Sequence, residues 1–373
     1  MTTYAIESRV LDSELLDVIE RWHRHGTTIE DGDFEDLALR IFKYQMRYNP
    51  PYARYCSTFG YSAEELPPTW HDIPPIPATA FKEATLATFD VTKHAALCFK
   101  TSGTTQGTGG RHYMDTTELY DAALLAAFDR FMLPDREQLR YFNLVPNPAE
   151  NPHSSLGYMM ARISKLRGDG KTGWYVQGDD LLFEKFVEDI FGAIQEKRPV
   201  CIASTAFALV HMLDGMLERD LCFALPSGSR IMETGGFKGR SRIVERADLY
   251  ADFCERFAST MDIIVAEYGM TELTSQYYDD VLVEKHPADV TGARVKLAPP
   301  WLRARVVGLD GKTLPNGTVG TLVHVDLANR SSCIAVQTED LGVQFDEGLV
   351  LLGREQDASL RGCSLDAEEL LRR

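Results

Sequence analysis

Three things are scarce in this sequence: closely spaced cysteines, long apolar runs and positive charge. The seven cysteines stand at 56, 98, 201, 222, 254, 333 and 363, and even the nearest two, Cys201 and Cys222, lie far outside a CxxC spacing. That excludes a metal knuckle or dithiol centre. An odd, scattered set in a chain of 373 residues points to reduced thiols, mostly small core hydrophobes, and to a cytoplasmic protein. No apolar stretch approaches the roughly 18 residues that span a bilayer. Near the start, Glu7, Asp12, Glu14 and Asp17 are too acidic for a signal or transit peptide. Lys and Arg number 39 against 55 Asp and Glu, a net charge of −16. Such a chain is poorly suited to a sequence-independent grip on nucleic acid. A small anion cradle of backbone N–H groups remains open to it. No lysine follows Lys312.

What is present is ordinary for a globular protein: 44% apolar and 25% charged residues, enough for a sizeable core. Residues 1–66 read as mainly helical. Pro67, Pro68, Pro74, Pro75 and Pro77 then enforce an extended connector, because proline lacks the helix donor. From 96 onward strand and helix patterns alternate. Apolar strands are expected at 96–99, 199–203, 230–232 and 261–266. Helical stripes run through Tyr120, Leu124 and Phe128, through Phe186, Ile190 and Phe191, and over 206–217, with Asp115 expected to cap the first. After Pro299 short strands are separated by turns such as Asp310-Gly311 and Asn316-Gly317, the pattern of a small β subdomain. The fold class expected is α/β.

Five segments could carry chemistry. Residues 101–112 read Thr-Ser-Gly-Thr-Thr-Gln-Gly-Thr-Gly-Gly-Arg-His, with five hydroxyl residues and four glycines in the first ten positions. Glycines allow close backbone approach and hydroxyls add donors, so a strand–loop–helix carrying them would cradle a polyphosphate. Gly170-Lys171-Thr172 and Gly311-Lys312-Thr313 imitate a P-loop ending, but the required first glycine would fall on Lys165 and Val306. Glu233-Thr234-Gly235-Gly236 could let a flat ring approach the backbone; a plain turn fits it equally. Glu267-Tyr268-Gly269-Met270-Thr271-Glu272 follows a strand, where ligands of open α/β sheets bind. It offers a stacking ring, a hydroxyl for phosphate and a carboxylate for Mg²⁺. Thr338-Glu339-Asp340-Leu341-Gly342 and Gly353-Arg354-Glu355-Gln356-Asp357 are, singly, indistinguishable from turns.

In this order the five segments resemble the core motifs of the adenylate-forming (ANL) superfamily. Tyr44-Gln45, Asn49-Pro50-Pro51-Tyr52 and Asp72-Ile73-Pro74-Pro75 make the chain most similar to LuxE-type acyl-protein synthetases. It also resembles truncated adenylating enzymes of phenazine antibiotic biosynthesis. The resemblance covers roughly residues 35–365. It implies a large adenylate-forming N-terminal domain over 1–352, with a helical part (1–95), an α/β core (96–298) and a β subdomain (299–352). Residues 353–373 would be a short hinge remnant, the usual C-terminal domain with its catalytic lysine being missing. It implies ATP and Mg²⁺. Thr101, Ser102, Gly103, Thr104, Thr105 and Gly107 would cradle phosphates. Gly235 and Gly236 would line the adenine and acyl pocket, and Tyr268 would pack on adenine. Thr271 would bond the α-phosphate and Glu272 would hold Mg²⁺. Asp340 and Arg354 would take the ribose, and His153 and Gly269 would border the substrate pocket. The family's loop ends Pro-Lys-Gly where this chain has Gly109-Gly110-Arg111, leaving Arg111 as a substitute cation.

The activity implied is ATP-dependent activation of a carboxylic acid to an acyl-adenylate, feeding reduction to an aldehyde by a reductase partner. A fatty acid and an aromatic acid such as a phenazine carboxylate both suit the resemblance. Cys363, beside Arg361, would carry the acyl group in a LuxE-type transfer. Two other readings are an adenylation fold that only binds acid or nucleotide, and acyl transfer by Cys363 alone. A homodimer is compatible with either; no nucleic-acid partner is expected.

Overall fold

A computed structural model of the chain describes residues 3–101, 109–235, 245–283, 294–346 and 348–354. Helices α1 (Thr3–His25), α2 (Asp31–Tyr48) and α3 (Pro50–Ser57) open it. The break between the last two is written in Asn49-Pro50-Pro51. The prolines cannot continue α2 but suit the first turn of α3, and the Asn49 side chain caps that helix by accepting from the Tyr52 N–H. The proline-rich connector follows, with one 3₁₀ turn at Trp70–Asp72 and a two-residue strand, β1 (Ile76–Pro77). Its carbonyls are satisfied by tyrosines of α3: the Tyr52 and Tyr55 hydroxyls donate to the carbonyls of Pro74 (2.9 Å) and Pro75 (3.0 Å).

Short helices α4 (Ala80–Glu83) and α5 (Val91–His94) precede a hairpin of β2 (Leu97–Lys100) and β3 (Arg111–Met114). Next come α6 (Glu118–Met132), β4 (Arg140–Pro146), α7 (Ser155–Arg167), β5 (Gly173–Gln177), β6 (Asp180–Leu181) and α8 (Phe183–Gln195). They are followed by β7 (Val200–Thr205), α9 (Ala206–Glu218), β8 (Arg230–Thr234), α10 (Arg246–Arg256), β9 (Ile264–Tyr268) and β10 (Tyr277–Asp279). The rest is β: β11 (Val295–Leu297), β12 (Leu302–Val307), β13 (Val319–Asp326), β14 (Ala335–Gln344) and β15 (Leu349–Arg354). Among the described residues no helix is long and apolar enough to cross a membrane.

The chain divides into two units. The second, residues 127–269 and 278–286, is a parallel sheet in the order β9-β8-β7-β4-β5, with β6 antiparallel at its edge. Strand β7 (Val-Cys-Ile-Ala-Ser-Thr) is buried along five of its six residues, as a strand covered on both faces must be. Phe142, Tyr175, Phe186, Ile190, Ile202, Met212 and Phe253 belong to one apolar core with it. Thr205 ends β7 and at once caps α9 by accepting from the Ala208 N–H.

The first unit comprises residues 1–126, 270–277 and 287–373. Its main sheet is antiparallel, β12-β13-β14-β15-β11, with β1 added in parallel to β14. Edge-on aromatic pairs, Trp22 with Trp301 and Phe34 with Trp70, pack its interior. Gly311 and Gly317 take positive φ in the turns between β12 and β13, as their Asp-Gly and Asn-Gly contexts require.

Several local expectations need correction. Residues 101–110 join two strands of a hairpin rather than a strand to a helix. Asp115 does not cap α6: the Glu118 N–H is taken by the Thr116 hydroxyl. The Asp115 carboxylate instead bonds Arg330 and Tyr4, which are distant in sequence. The strand expected at 261–266 starts at Ile264, after a 3₁₀ turn, and runs on through Tyr268. Residues 338–342, which could pass for a turn, lie inside β14. The rejection of a P-loop at both Gly-Lys-Thr segments, by contrast, agrees with the structure: they lead into strands or turns, not helices.

Candidate active site

The first unit carries the neck of the Ser/Thr/Gly loop. The Thr101 N–H donates to the Gly110 carbonyl (2.9 Å), and the Gly110 N–H returns to the Thr101 hydroxyl (2.7 Å). A Cβ on Gly109 would stand 2.4 Å from the Thr101 carbonyl oxygen, so only glycine closes the neck this tightly. Ser102, Gly103, Thr104, Thr105 and Gly107 lie outside the described residues. Below the neck, Lys100 and Arg111 are directly opposed and exposed. Two like charges so placed repel unless an anion lies near.

His112 couples this hairpin to the Tyr268–Glu272 motif. It is fully buried, with Nδ1 2.8 Å from the Thr271 carbonyl and Nε2 3.1 Å from the Ser332 hydroxyl. A carbonyl can only accept, so Nδ1 carries the proton and Nε2 accepts: a neutral ring. Residues 271–275 are then held from below. Asn329 donates to the Glu272 carbonyl (2.9 Å) and accepts from the Thr274 N–H (2.8 Å). Asp326 accepts from the N–H groups of Thr274 and Ser275 and from the Ser275 hydroxyl. The turn supplying Asn329 is itself pegged by Gln45, which donates to the Asn329 carbonyl and accepts from the Ile334 N–H, and by Asn49, which donates to the Ser332 carbonyl. Gln45 and Asn49 thus serve the site from a distance, as supports of its supports. The framework fixes the backbone that bears the Thr271 hydroxyl and the Glu272 carboxylate, the latter only 6% exposed. Adjacent hard oxygen donors suit Mg²⁺, which takes one or two carboxylates and completes its shell with substrate oxygens. Among the described residues no three His, Cys, Asp or Glu side chains gather to cage a metal.

Asp340 and Arg354 face each other across β14 and β15, 3.6 Å apart. Arg354 is mostly exposed, so the pair adds little stability and both groups are accessible to a ligand.

In the second unit the polar residues gather at the carboxyl ends of parallel strands. Thr205 aligns with Thr234 and Thr234 with Glu267, and the Thr234 hydroxyl donates to the Glu267 carboxylate. Gly235 follows with φ +74° and open space where a Cβ would lie. Tyr268 is the buried last residue of β9, and Gly269 follows it. His153 is half-buried in the turn before α7, whose cap is Ser154. Gly236 and Cys363 lie outside the described residues. Sequence reasoning missed the supports Asp326 and Asn329 and, although it singled out both segments, the bond between Thr234 and Glu267. The only trace of the first two was a polar run, Asn329-Arg330-Ser331-Ser332, inside an apolar segment.

The buried polar framework sets a pH dependence. Burial lowers His112 to about 4 and His324 to about 3, the latter beside the Tyr277 hydroxyl. Both lie below their unfolded values, so their stabilisation is complete above about pH 6.5 and is lost as pH falls toward 4. Burial pushes Asp326 up to about 6, which works the other way over the same range. The net uptake on unfolding is roughly one proton, or about 1.4 kcal/mol lost per pH unit between pH 6 and 4. Urea unfolding at pH 7, 6 and 5 should show this slope, with Asp326→Asn steepening it. A flat profile would contradict the neutral, buried histidines.

Residues 10–371 match the family described as Acyl-protein synthetase, LuxE. The long-chain-fatty-acid–luciferin-component ligase of Aliivibrio fischeri is 23% identical over 351 residues, covering 92% of this chain and 88% of its own length. The ligase of the same name from Vibrio harveyi is 24% identical, covering 89% and 86%. Among solved structures, 2-hydroxyisobutyryl-CoA ligase with 2-HIB-AMP and CoA superposes with TM-score 0.65 at 13% identity, covering 87% of this chain and 74% of that one. The McyG structure with phenylalanyl-adenylate gives 0.51 at 19% identity over 71% of this chain, which spans about half (48%) of McyG's length. These likenesses show the fold of adenylate-forming ligases, whose sheet and helices the two units reproduce. The chain belongs to the LuxE acyl-protein synthetase family and is an acyl-activating ligase of adenylate-forming fold.

Proposed function

We propose that the protein uses ATP to convert a long-chain fatty acid to its acyl-adenylate and then passes the acyl group to Cys363, from which a reductase partner takes it to the aldehyde. The family match over residues 10–371 carries this reading, and the names of the two bacterial ligases support the fatty acid. The pinned Thr271–Glu272 backbone supports the site assignment. The large domain is assigned to residues 1–352 and a hinge segment to 353–373.

A carboxylate is a poor electrophile until its oxygen is esterified to phosphate. Its oxygen attacks the α-phosphorus of ATP and pyrophosphate leaves. The residue roles follow the motifs. The 101–107 loop cradles the β- and γ-phosphates, with Lys100 and Arg111 supplying positive charge beneath it. Tyr268 packs on adenine beside Gly235 and Gly236, Thr271 donates to the α-phosphate, and Asp340 with Arg354 holds the ribose. His153 and Gly269 border the acyl pocket. Glu272 would hold Mg²⁺, whose charge would offset that of the phosphates. Catalysis here is chiefly positioning and charge stabilisation on a rigid backbone. In the second step the Cys363 thiolate attacks the acyl carbon and AMP leaves.

Intact-mass measurement after incubation with ATP, Mg²⁺ and a C14 fatty acid should show a single acyl adduct that hydroxylamine removes and Cys363→Ala lacks. An adduct that survives Cys363→Ala would refute the assignment of the carrier. A phenazine carboxylate run in parallel tests the aromatic acid: an adduct or AMP release with it alone would replace the fatty substrate.

A further inference from the structure

The first unit contains a cavity of about 380 Å³ on its β subdomain, lined by Trp70, His71, Lys296, Arg303, Arg305 and Gln344 among others. Two of these six, Arg303 and Arg305, are always charged. Lys296 is 2% exposed and Arg305 is 7% exposed. Arg303 is accounted for: its guanidinium lies over the Phe34 ring and pairs with Asp31 at 2.7 Å. Arg305 is not. Among the described residues it forms no ion pair, the carboxylate of Asp72 acting on it only from beyond salt-bridge distance. Its two terminal nitrogens make only long contacts to neutral oxygens, 3.4 Å to the Thr313 hydroxyl and 3.3 Å to the Ile73 carbonyl, and its buried Nε has no hydrogen-bond partner. On the same wall, the Oε1 of Gln344 is also buried without a donor. The one acid in the lining, Asp346, accepts from Asn316 at 2.6 Å.

A guanidinium taken out of water needs an anion or several good acceptors, because the desolvation cost is several kcal/mol. Two long contacts to neutral oxygens are a weak return. Arginine is always charged, so it cannot escape by losing its proton. Burial, and then the charge of Arg305, hold His71 below its ordinary value, so the imidazole facing the cavity is neutral near pH 7 and can donate one hydrogen bond.

We infer that this cavity is an anion site built on Arg305, shaped for a phosphate group carried free or on a small monoester. Arg305 lines the cavity, and a guanidinium offers the paired donors that two oxygens of one phosphate accept. The unpaired Gln344 Oε1 needs a donor, which a protonated phosphate oxygen or an alcohol hydroxyl of the ester supplies. Lys296 and Arg303 add charge at longer range. This site is separate from the Thr271–Glu272 motif and does not depend on the adenylation reading.

The test is thermal unfolding of the full chain without ATP or acid, in inorganic phosphate or glycerol phosphate, against sodium chloride at equal ionic strength. At ten times its dissociation constant, phosphate should raise the midpoint by roughly 2 °C in the wild type. The rise should vanish in Arg305→Gln and persist in Thr271→Val, which alters only the proposed nucleotide site. A larger effect of glycerol phosphate would mark the monoester as the better ligand, and equal effects would mark the phosphate group itself. The inference fails if phosphate acts no differently from chloride, or if Thr271→Val abolishes the rise while Arg305→Gln keeps it. Should Arg305→Gln not fold, Gln344→Leu reads the same question as a phosphate affinity weakened at least severalfold by calorimetry; an unchanged affinity there overturns the inference.

Discussion

Glu272→Gln is expected to lower acid-dependent ATP–pyrophosphate exchange roughly 100- to 1000-fold, the usual range for losing one preorganised charge-stabilising group. The substitution keeps size and shape and removes only the charge. The loop around it should stay in place, because Asn329 and Asp326 hold residues 272–275 through backbone groups that the substitution leaves intact. Unfolding midpoints should therefore match the wild type while exchange collapses. Raising Mg²⁺ should recover part of the loss if the defect is in metal affinity. Undiminished exchange would remove Glu272 from the metal site and with it the reading of the whole 268–272 motif.

The largest stability effect is expected at Arg330. Its side chain is 1% exposed and holds Asp12 of α1 through two bonds of 2.7 and 3.0 Å, and Asp115 through two of 2.8 and 3.0 Å. Tyr4 adds a bond of 2.6 Å to Asp115. Arg330→Met would leave two neighbouring carboxylates in a largely dry site. Breaking a buried ion network by removing one partner costs about 3–5 kcal/mol. The loss should shrink at acid pH, where the orphaned carboxyls can take up a proton. The triple substitution Asp12→Asn, Arg330→Met, Asp115→Asn should regain most of it, since no charge is left stranded. Denaturant midpoints at pH 7 and pH 5 read both effects. A single-variant cost below about 1 kcal/mol would mean that water reaches the network freely.

The parts of this protein that were legible in the sequence are those with local causes. The run Val-Cys-Ile-Ala at 200–203 has the continuous apolar character of a doubly covered strand, and it is one. Of the stripe expected on α8, Phe186 and Ile190 stand at helical spacing and pack inward, whereas Phe191 is exposed. The ordered motifs pointed to the adenylate-forming superfamily and the N-terminal segments Tyr44-Gln45 and Asn49-Pro50-Pro51-Tyr52 to the LuxE family, with which the family match agrees. What stayed hidden rests on contacts between residues far apart in the chain. Asp115 followed by Glu118 has the local look of a helix cap, but Arg330 competes for the same carboxylate from 215 positions away and offers a charged partner. Residues 101–110 have the glycine and hydroxyl content of a loop before a helix. The pairing of Phe99 with His112 and of Lys100 with Arg111 makes them a hairpin tip instead, and strand pairing has no local periodicity to announce it. Asp326 and Asn329 were invisible for the same reason, and Gln45 and Asn49, though part of the segments that carry the family resemblance, gave no sign of the contacts they make. Each is an ordinary polar residue until its distant partner is known. Arg305 is the extreme case, a strand arginine in sequence whose meaning comes only from the cavity beside it.

The proposed function depends on the formation of an acyl-adenylate. The direct measurement is exchange of labelled pyrophosphate into ATP by the wild-type chain, with Mg²⁺, across fatty acids of increasing length and a set of aromatic acids. The account predicts exchange that requires an acid, is strongest with a long-chain fatty acid, and disappears when Mg²⁺ is chelated. ATP binding with no exchange for any acid in the panel would contradict it and leave a nucleotide-binding protein that has kept the fold without the reaction.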